Sequence, residues 1–350
     1  ENVISGKINE ELIEENADYV ARIKSKGFLS LREAMVDASS GDTIYVFRST
    51  TDTTANSQVD AKDLNVIIES GVTVDLGSKN ISFYSEKNGA INNYELTISE
   101  GAQLKAANIY VRGNMEIKGT GNIEVSGTVG QNSLAPYGYL TIGALKIHRA
   151  GTSASTTVGA ITAQTDGVVT LNGTTVSSDL NYAVYAASNN AKIIINGGSY
   201  ISYASNPSCS STICIKKNTS NLIIDGNPTI IFEGEDGRSI QVTAGTATIK
   251  SGIFVAPGND GTEVIYAGGT GAKIYISGGD FSNNSDNKKF LLNKLDSAKD
   301  KAIIEITGGT FHGFNPANNE ADGVSTNYVS TGYSANETAT GSNVWVVSKD

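Results

Sequence analysis

The chain has 350 residues, with 26 Lys and Arg against 36 Asp and Glu, for a formal charge of −10. That balance excludes a nucleic-acid grip built on clustered cations, and no apolar run approaches the roughly 20 residues of a membrane-spanning helix. Two His leave little material for imidazole-based catalysis or metal binding, whereas 38 Gly set among short β-branched runs predict many short strands and tight turns.

Helical signals are confined to the first forty residues. The chain opens at Glu1 without a basic or apolar leader, as expected of a removed signal or of numbering that starts inside a longer protein. Residues 9–24 are predicted to be helical: Leu12, Tyr19, Val20 and Ile23 share a face, Glu10, Glu11, Glu14 and Glu15 load the first turns, and Gly27 stops it. The 4-3-4 spacing of Leu12, Asn16, Tyr19 and Ile23 is also that of a short self-association seam, which makes a homo-oligomer, such as a trimer, one expectation. Ser30-Leu-Arg-Glu33 reads as a capping box opening a second helix over 31–38.

From Thr43 onward the pattern is apolar-x-apolar-x-Gly followed by a second apolar stretch, as in IIINGGSY from Ile193, IYISGGDF from Ile274 and IEITGGTF from Ile304. Anchoring on the apolar residue before each turn gives Val74, Ile98, Val125, Ile147, Leu171, Ile195, Ile224, Ile249, Ile276 and Ile306. A period of about 20–30 residues is the signature of a solenoid. Short alternating strands and Gly, Asn, Ser and Thr turns predict an all-β, single-stranded, right-handed parallel β-helix of about ten turns. Tyr200, Phe254, Phe281 and Phe311 fall at one level of successive turns, so their rings are expected to stack inside the rod. The divisions read from this are 1–40 for N-terminal helices and cap, 41–314 for the β-helix and 315–350 for a C-terminal capping segment.

FLSLREAMVDASSGDTIYV, followed by NVIIESGVTVDLG, resembles the entry to right-handed parallel β-helix proteins of the pectate-lyase-like class. The Gly-Gly-x-aromatic turns and the closing FNPANN…NYVSTGY…VWVV resemble modules of bacterial surfaces and phage particles. The resemblance implies the fold, and an extracellular place on a virion or bacterial surface. It leaves function open, because the fold hosts many roles.

Some members of that class cleave polysaccharides, which takes paired carboxylates or a base beside acidic metal ligands. Asp75, Asp166, Asp225 and Asp280 recur near turns, where Asp bonds its own backbone. His148 and His312 read as lateral polar side chains, and the reading leans away from an enzyme. No catalytic residue, metal ligand or cofactor-binding residue is assigned, and no cofactor is expected. Tyr137, Tyr139, Tyr182 and Tyr185 are candidates for presenting rings to a glycan, the alternative being that they fill the core or edge a turn. Cys209 and Cys214 are close enough in sequence for a small disulfide loop, or for ordinary packing as thiols. The function expected is a non-catalytic structural or attachment protein contacting surface polysaccharide or another particle protein. The rivals are a glycan-degrading spike and a passive stalk.

Overall fold

The computed structural model describes residues 16–60, 62–84, 91–131, 138–151, 158–204, 211–234, 236–257, 263–284 and 287–350. Three parallel ladders wind around one core, as the period requires. The first sheet begins with Asp42–Val46, Leu64–Ile68, Asn93–Ile98 and Asn114–Gly119, and runs through Val168–Asn172, Lys192–Asn196 and Asn221–Asp225 to the strand Ile303–His312. The second stacks Thr73–Asp75, Gln103–Ala106, Asn122–Val125, Lys146–Arg149, Thr175–Ser178, Ser199–Ser202, Thr229–Phe232 and Ile253–Ala256. The third contains Ile109–Arg112, Gly159–Ala163, Tyr182–Ala186, Ser211–Ile215 and Leu292–Lys294. The long strands Arg238–Ile249 and Ile265–Asn283 pass from one sheet into the next. The parallel β-helix read from the sequence is thus the fold.

Alternation decides what fills the rod. On the first sheet Leu171 pairs with Ile195, then come Ile224, Ile249, Ile276 and Ile306, each in register with the last and all at most 1% exposed. These later anchors form one inward column, as expected. The earlier ones do not. Val74 and Ile147 belong to the second sheet, in the column Val74–Leu104–Ile123–Ile147–Val176–Tyr200, and Val125 pairs there with Arg149. Ile98 lies on the first sheet but two residues beyond Leu96, the column member. The early coils lack the Gly-Gly corner, and both sheets turn aliphatic residues inward. Apolar spacing alone therefore could not separate the two sheets.

The column of the second sheet continues from Tyr200 through Ile230, Phe254 and Phe281 to Phe311. Phe254 and Phe281 stack at 4.8 Å with an 8° tilt, and Phe281 and Phe311 at 5.0 Å and 8°. Tyr200 shares the column but is separated from the stack by Ile230, and its hydroxyl donates to the Gly197 carbonyl at 3.1 Å. The Gly-Gly corners follow from the rings. Gly279 has φ +117°, and a Cβ there would stand 3.0 Å from both Phe254 and Phe281. Only glycine accepts that dihedral and that gap.

Both ends of the ladder are covered by antiparallel strands. β1 (Ala21–Ile23) and β2 (Lys26–Phe28) form a hairpin turned at Lys24 (φ 50°), and β1 pairs antiparallel with β3 (Asp42–Val46). This corrects the helix expected over 9–24: its described part contains a strand, while 9–15 lies outside the described residues. The open edge of the first coil offers backbone partners to Ala21–Ile23, and meeting them outweighs a helix propensity of a few tenths of a kcal/mol per residue. All three β1 side chains are buried, including Arg22, whose guanidinium donates to the Lys24 carbonyl at 2.8 Å and lies 4.6 Å from the Tyr45 ring centroid. The second helix forms as α1 (Leu31–Asp37), with Leu31, Ala34 and Met35 buried. Ser30 Oγ accepts from the Glu33 N–H, and Glu33 Oε2 accepts from the Leu29 N–H, both at 3.1 Å. At the far end Val344–Lys349 pairs antiparallel with Ile303–His312, placing Trp345 opposite Phe311, and Tyr333–Glu337 adds one more strand.

Candidate functional site

A recess of about 460 Å³ opens where the third sheet meets the C-terminal segment. Tyr266 enters from the third-sheet part of Ile265–Asn283, and Asn293 and Lys294 from Leu292–Lys294. Lys289 and Phe290 lie just before that strand, Asp296 and Lys299 just after it, and Glu320–Gly323 close the opposite side. The residues are brought together by stacking. Tyr266 pairs with Asn293 and Ala267 with Lys294, one coil apart.

The wall from the C-terminal segment is fixed by Asp322. Its carboxylate accepts the Tyr328 hydroxyl at 2.7 Å and the Lys294 backbone N–H at 3.1 Å, with Lys294 Nζ 3.9 Å away. Burial, then the Asp322 hydrogen bond and charge, push the Tyr328 phenol well above its ordinary range. Asp322 therefore acts as a structural acceptor, with one hydrogen bond at each carboxylate oxygen. On the other wall Arg238 Nε donates to Glu263 at 2.8 Å, its guanidinium lies 4.3 Å from the Tyr266 ring centroid, and Asn293 donates to the second Glu263 oxygen at 3.2 Å. Burial and the Glu263 carboxylate raise the Tyr266 phenol, against the opposing pull of Arg238. Lys289 sits 3.9 Å from Glu320 and 5.3 Å from the Phe290 ring centroid. The recess thus combines ammonium donors, amide and carboxylate groups, and two aromatic rings. That set can hydrogen-bond a polar ligand and offer it a ring face.

The residues singled out in sequence lie elsewhere. Tyr139 starts Tyr139–Ile142 and is 60% exposed, so its ring stands in solvent. Tyr182 and Tyr185 are buried, stacked on each other at 4.7 Å and 22°, with Cys214 packed against them. Their rings meet each other rather than the open surface. Tyr137, Cys209 and Leu12 lie outside the described residues, Tyr19 is half-buried, and Ile23 is buried in β1. Two of the four turn aspartates do what turn geometry asks, whereas Asp166 accepts from the Asn190 side chain at 2.7 Å and Asp280 meets His312 Nε2 at 3.0 Å. Asp75 accepts from the Gly77 N–H at 2.8 Å, and Asp225 from the Gly226 N–H at 2.8 Å and the Ser251 hydroxyl at 3.1 Å. Among the described residues no group of three or more His, Cys, Asp or Glu is placed to hold a metal ion, and no helix is long and apolar enough to cross a membrane.

Sequence reasoning missed the recess and two buried cations, Arg22 in β1 and Arg149 in the second sheet. Arg149 faces inward from the second sheet at 2% exposure, between Val125 and Ser178 in register. Its guanidinium donates to the Val158 carbonyl at 2.6 Å and the Leu180 carbonyl at 3.4 Å, and burial lowers its pKa. The only hint of Arg149 in the sequence was its parity with Ile147, which puts it on an inward position.

Fold and recess together define a parallel β-solenoid with a lateral polar recess at its C-terminal end. Searches of family models, curated proteins and solved structures yield no match to this chain.

Proposed function

We propose that this protein is a non-catalytic structural and attachment module, exposed on a virion appendage or a bacterial surface, that contacts polysaccharide through the recess at Tyr266, Lys289 and Asn293. The observation that carries this reading is the recess itself, where ring faces, ammonium groups and an amide converge on one wall of a continuously cored rod. Sugars are bound by such sets, with hydroxyls taking the polar groups and the carbon face taking a ring. The acidic exterior and the resemblance to surface and phage β-helix modules support an extracellular place.

A panel of capsule and cell-wall glycans, immobilised and probed with the full chain, tests it. Binding to a defined glycan that Tyr266→Ala and Lys289→Ala both weaken is the expected result. Release of reducing ends or unsaturated sugars would instead favour the glycan-degrading rival, and Glu320→Gln and Asp296→Asn are the first variants to try. No binding across the panel would leave the passive stalk.

A further inference from the structure

The recess is lined by three ammonium groups, Lys289, Lys294 and Lys299, and by three carboxylates, Asp296, Glu320 and Asp322. They differ in how far each is already engaged. Lys294 Nζ donates to the Lys299 carbonyl at 3.4 Å, and it lies 3.9 Å from Asp322 and 5.6 Å from the Tyr328 ring centroid. Lys299 Nζ donates to the Asp322 carbonyl at 3.4 Å. The Asp322 carboxylate accepts from the Tyr328 hydroxyl and the Lys294 N–H. Behind the opposite wall, Glu263 gives one oxygen to Arg238 and the other to Asn293. These groups hold the walls together.

Two charges are left for a ligand. Lys289 lies 3.9 Å from Glu320, with side chains 44% and 70% exposed, and so open a pair is worth little. Asp296 begins the short turn Asp296–Ala298 and is exposed, and among the described residues no cation is paired with it. Its charge helps to raise the Tyr266 phenol, which sets it beside that ring. Lys289 precedes the strand Leu292–Lys294 and Asp296 follows it. One ammonium and one carboxylate thus stand at its two ends.

A ligand seated in the recess takes both groups out of water, which is costly unless an opposite charge replaces the water. A neutral sugar offers hydroxyls and no counter-charge. A purely acidic one satisfies Lys289, but it brings its anion among three carboxylates and leaves Asp296 unmatched. A purely basic one leaves Lys289 to its weak contact with Glu320. A repeat bearing a free amine and a carboxylate answers both: its anion replaces Glu320 at Lys289, and its ammonium meets Asp296 beside the Tyr266 ring, one face of which Arg238 covers at 4.3 Å. Resting on the reading of the recess as a polysaccharide site, we infer that it selects a zwitterionic polysaccharide, with Asp296 receiving the amine and Lys289 the carboxylate.

Three oligosaccharides on one backbone test the charge requirement by calorimetry with the full chain. They are hyaluronan, which carries carboxylates alone; N-deacetylated hyaluronan, which carries both charges; and the deacetylated form with its carboxyls reduced, which carries amines alone. The form with both charges should bind tightest, by roughly fivefold or more over either other. Asp296→Asn should erase its advantage over hyaluronan, and Lys289→Gln its advantage over the reduced form, with thermal midpoints unchanged. Equal binding of the three, tightest binding of a singly charged form, no binding of any, or an advantage that survives both substitutions would each overturn the inference. The polysaccharide site itself stands or falls separately. A neutral or purely acidic capsule or cell-wall glycan that binds through Tyr266 upholds the site and overturns its charge requirement, whereas a panel with no bound glycan removes both.

Discussion

The early and late coils of this rod fill the same inner column differently. At Val74, Leu104, Ile123 and Ile147 the second sheet is filled by aliphatic side chains, whereas at Phe254, Phe281 and Phe311 it is filled by stacked rings. The backbone follows the filling. A ring lying flat under the corner leaves no room for a Cβ, so Gly252, Gly279 and Gly309 stand over the stack with φ of +130°, +117° and +116°. The aliphatic coils need no glycine there: the residues two before Val74, Leu104 and Ile147 are Val72, Ala102 and Leu145. One fold thus tolerates two fillings, and the local sequence rule belongs to the filling rather than to the coil.

The largest effect expected from breaking this contrast is at the centre of the stack. Phe281→Ala removes a ring packed on both sides and should cost about 3–5 kcal/mol, read as a loss in thermal or denaturant midpoint. Because each coil rests on its neighbours, hydrogen exchange should quicken in the coils of Phe254 and Phe311 as well. Ile123→Ala, in the aliphatic part, should cost about 2–5 kcal/mol, with faster exchange centred on its own neighbours at Leu104 and Ile147. Protection lost only at the substituted coil in either variant would contradict a shared core.

A smaller effect isolates the corner. Gly279→Ala brings a Cβ to 3.0 Å from two rings at a left-handed dihedral, and should destabilise by about 1–3 kcal/mol. In the double variant with Phe281→Ala the contact with Phe281 is relieved while that with Phe254 stays, so the combined loss should fall short of the sum of the two single losses. Full additivity would mean that the rings do not dictate the glycine.

The smallest effect concerns the C-terminal wall of the recess. The Tyr328 phenol is raised in the folded protein by burial and by Asp322. A phenol held protonated in the fold contributes stability that is complete below the ordinary tyrosine pKa of about 10 and is lost as pH rises beyond it. In a phenolate absorbance titration Tyr328 should be among the last to ionise, and Tyr328→Phe should remove that late component. An unchanged profile would contradict the buried hydrogen bond.

The sequence carried the architecture wherever its corner chemistry was distinctive. From Leu171 to Ile306 each anchor precedes a turn whose glycine or aspartate fixes the strand end, and the spacing locates the true column. Before Leu171 the inward residues of both sheets are aliphatic and the turns vary, so Val74, Val125 and Ile147 point inward but from the second sheet, outside the column of Leu171. The stretch up to Ile23 looked helical because local charge and apolar spacing favour a helix, while the open ladder edge that claims Ala21–Ile23 exists only after the first coil forms. The recess was illegible for a similar reason. Tyr266, Lys289, Asn293 and Asp322 look in sequence like solvated polar residues, and only coil stacking and the return of the C-terminal segment bring them together.

The central claim is that successive coils share one inward column with outward neighbours one residue away, and the pair Ile249 and Lys250 tests it most directly. Ile249 is fully buried between Ile224 and Ile276, while Lys250 is exposed with Asp225 3.9 Å away. Thermal melts of the two alanine variants should show a loss of about 2–5 kcal/mol for Ile249→Ala and a change within about 0.5 kcal/mol for Lys250→Ala. Equal losses, or a larger one at Lys250, would reverse the two faces and contradict the register of the whole rod.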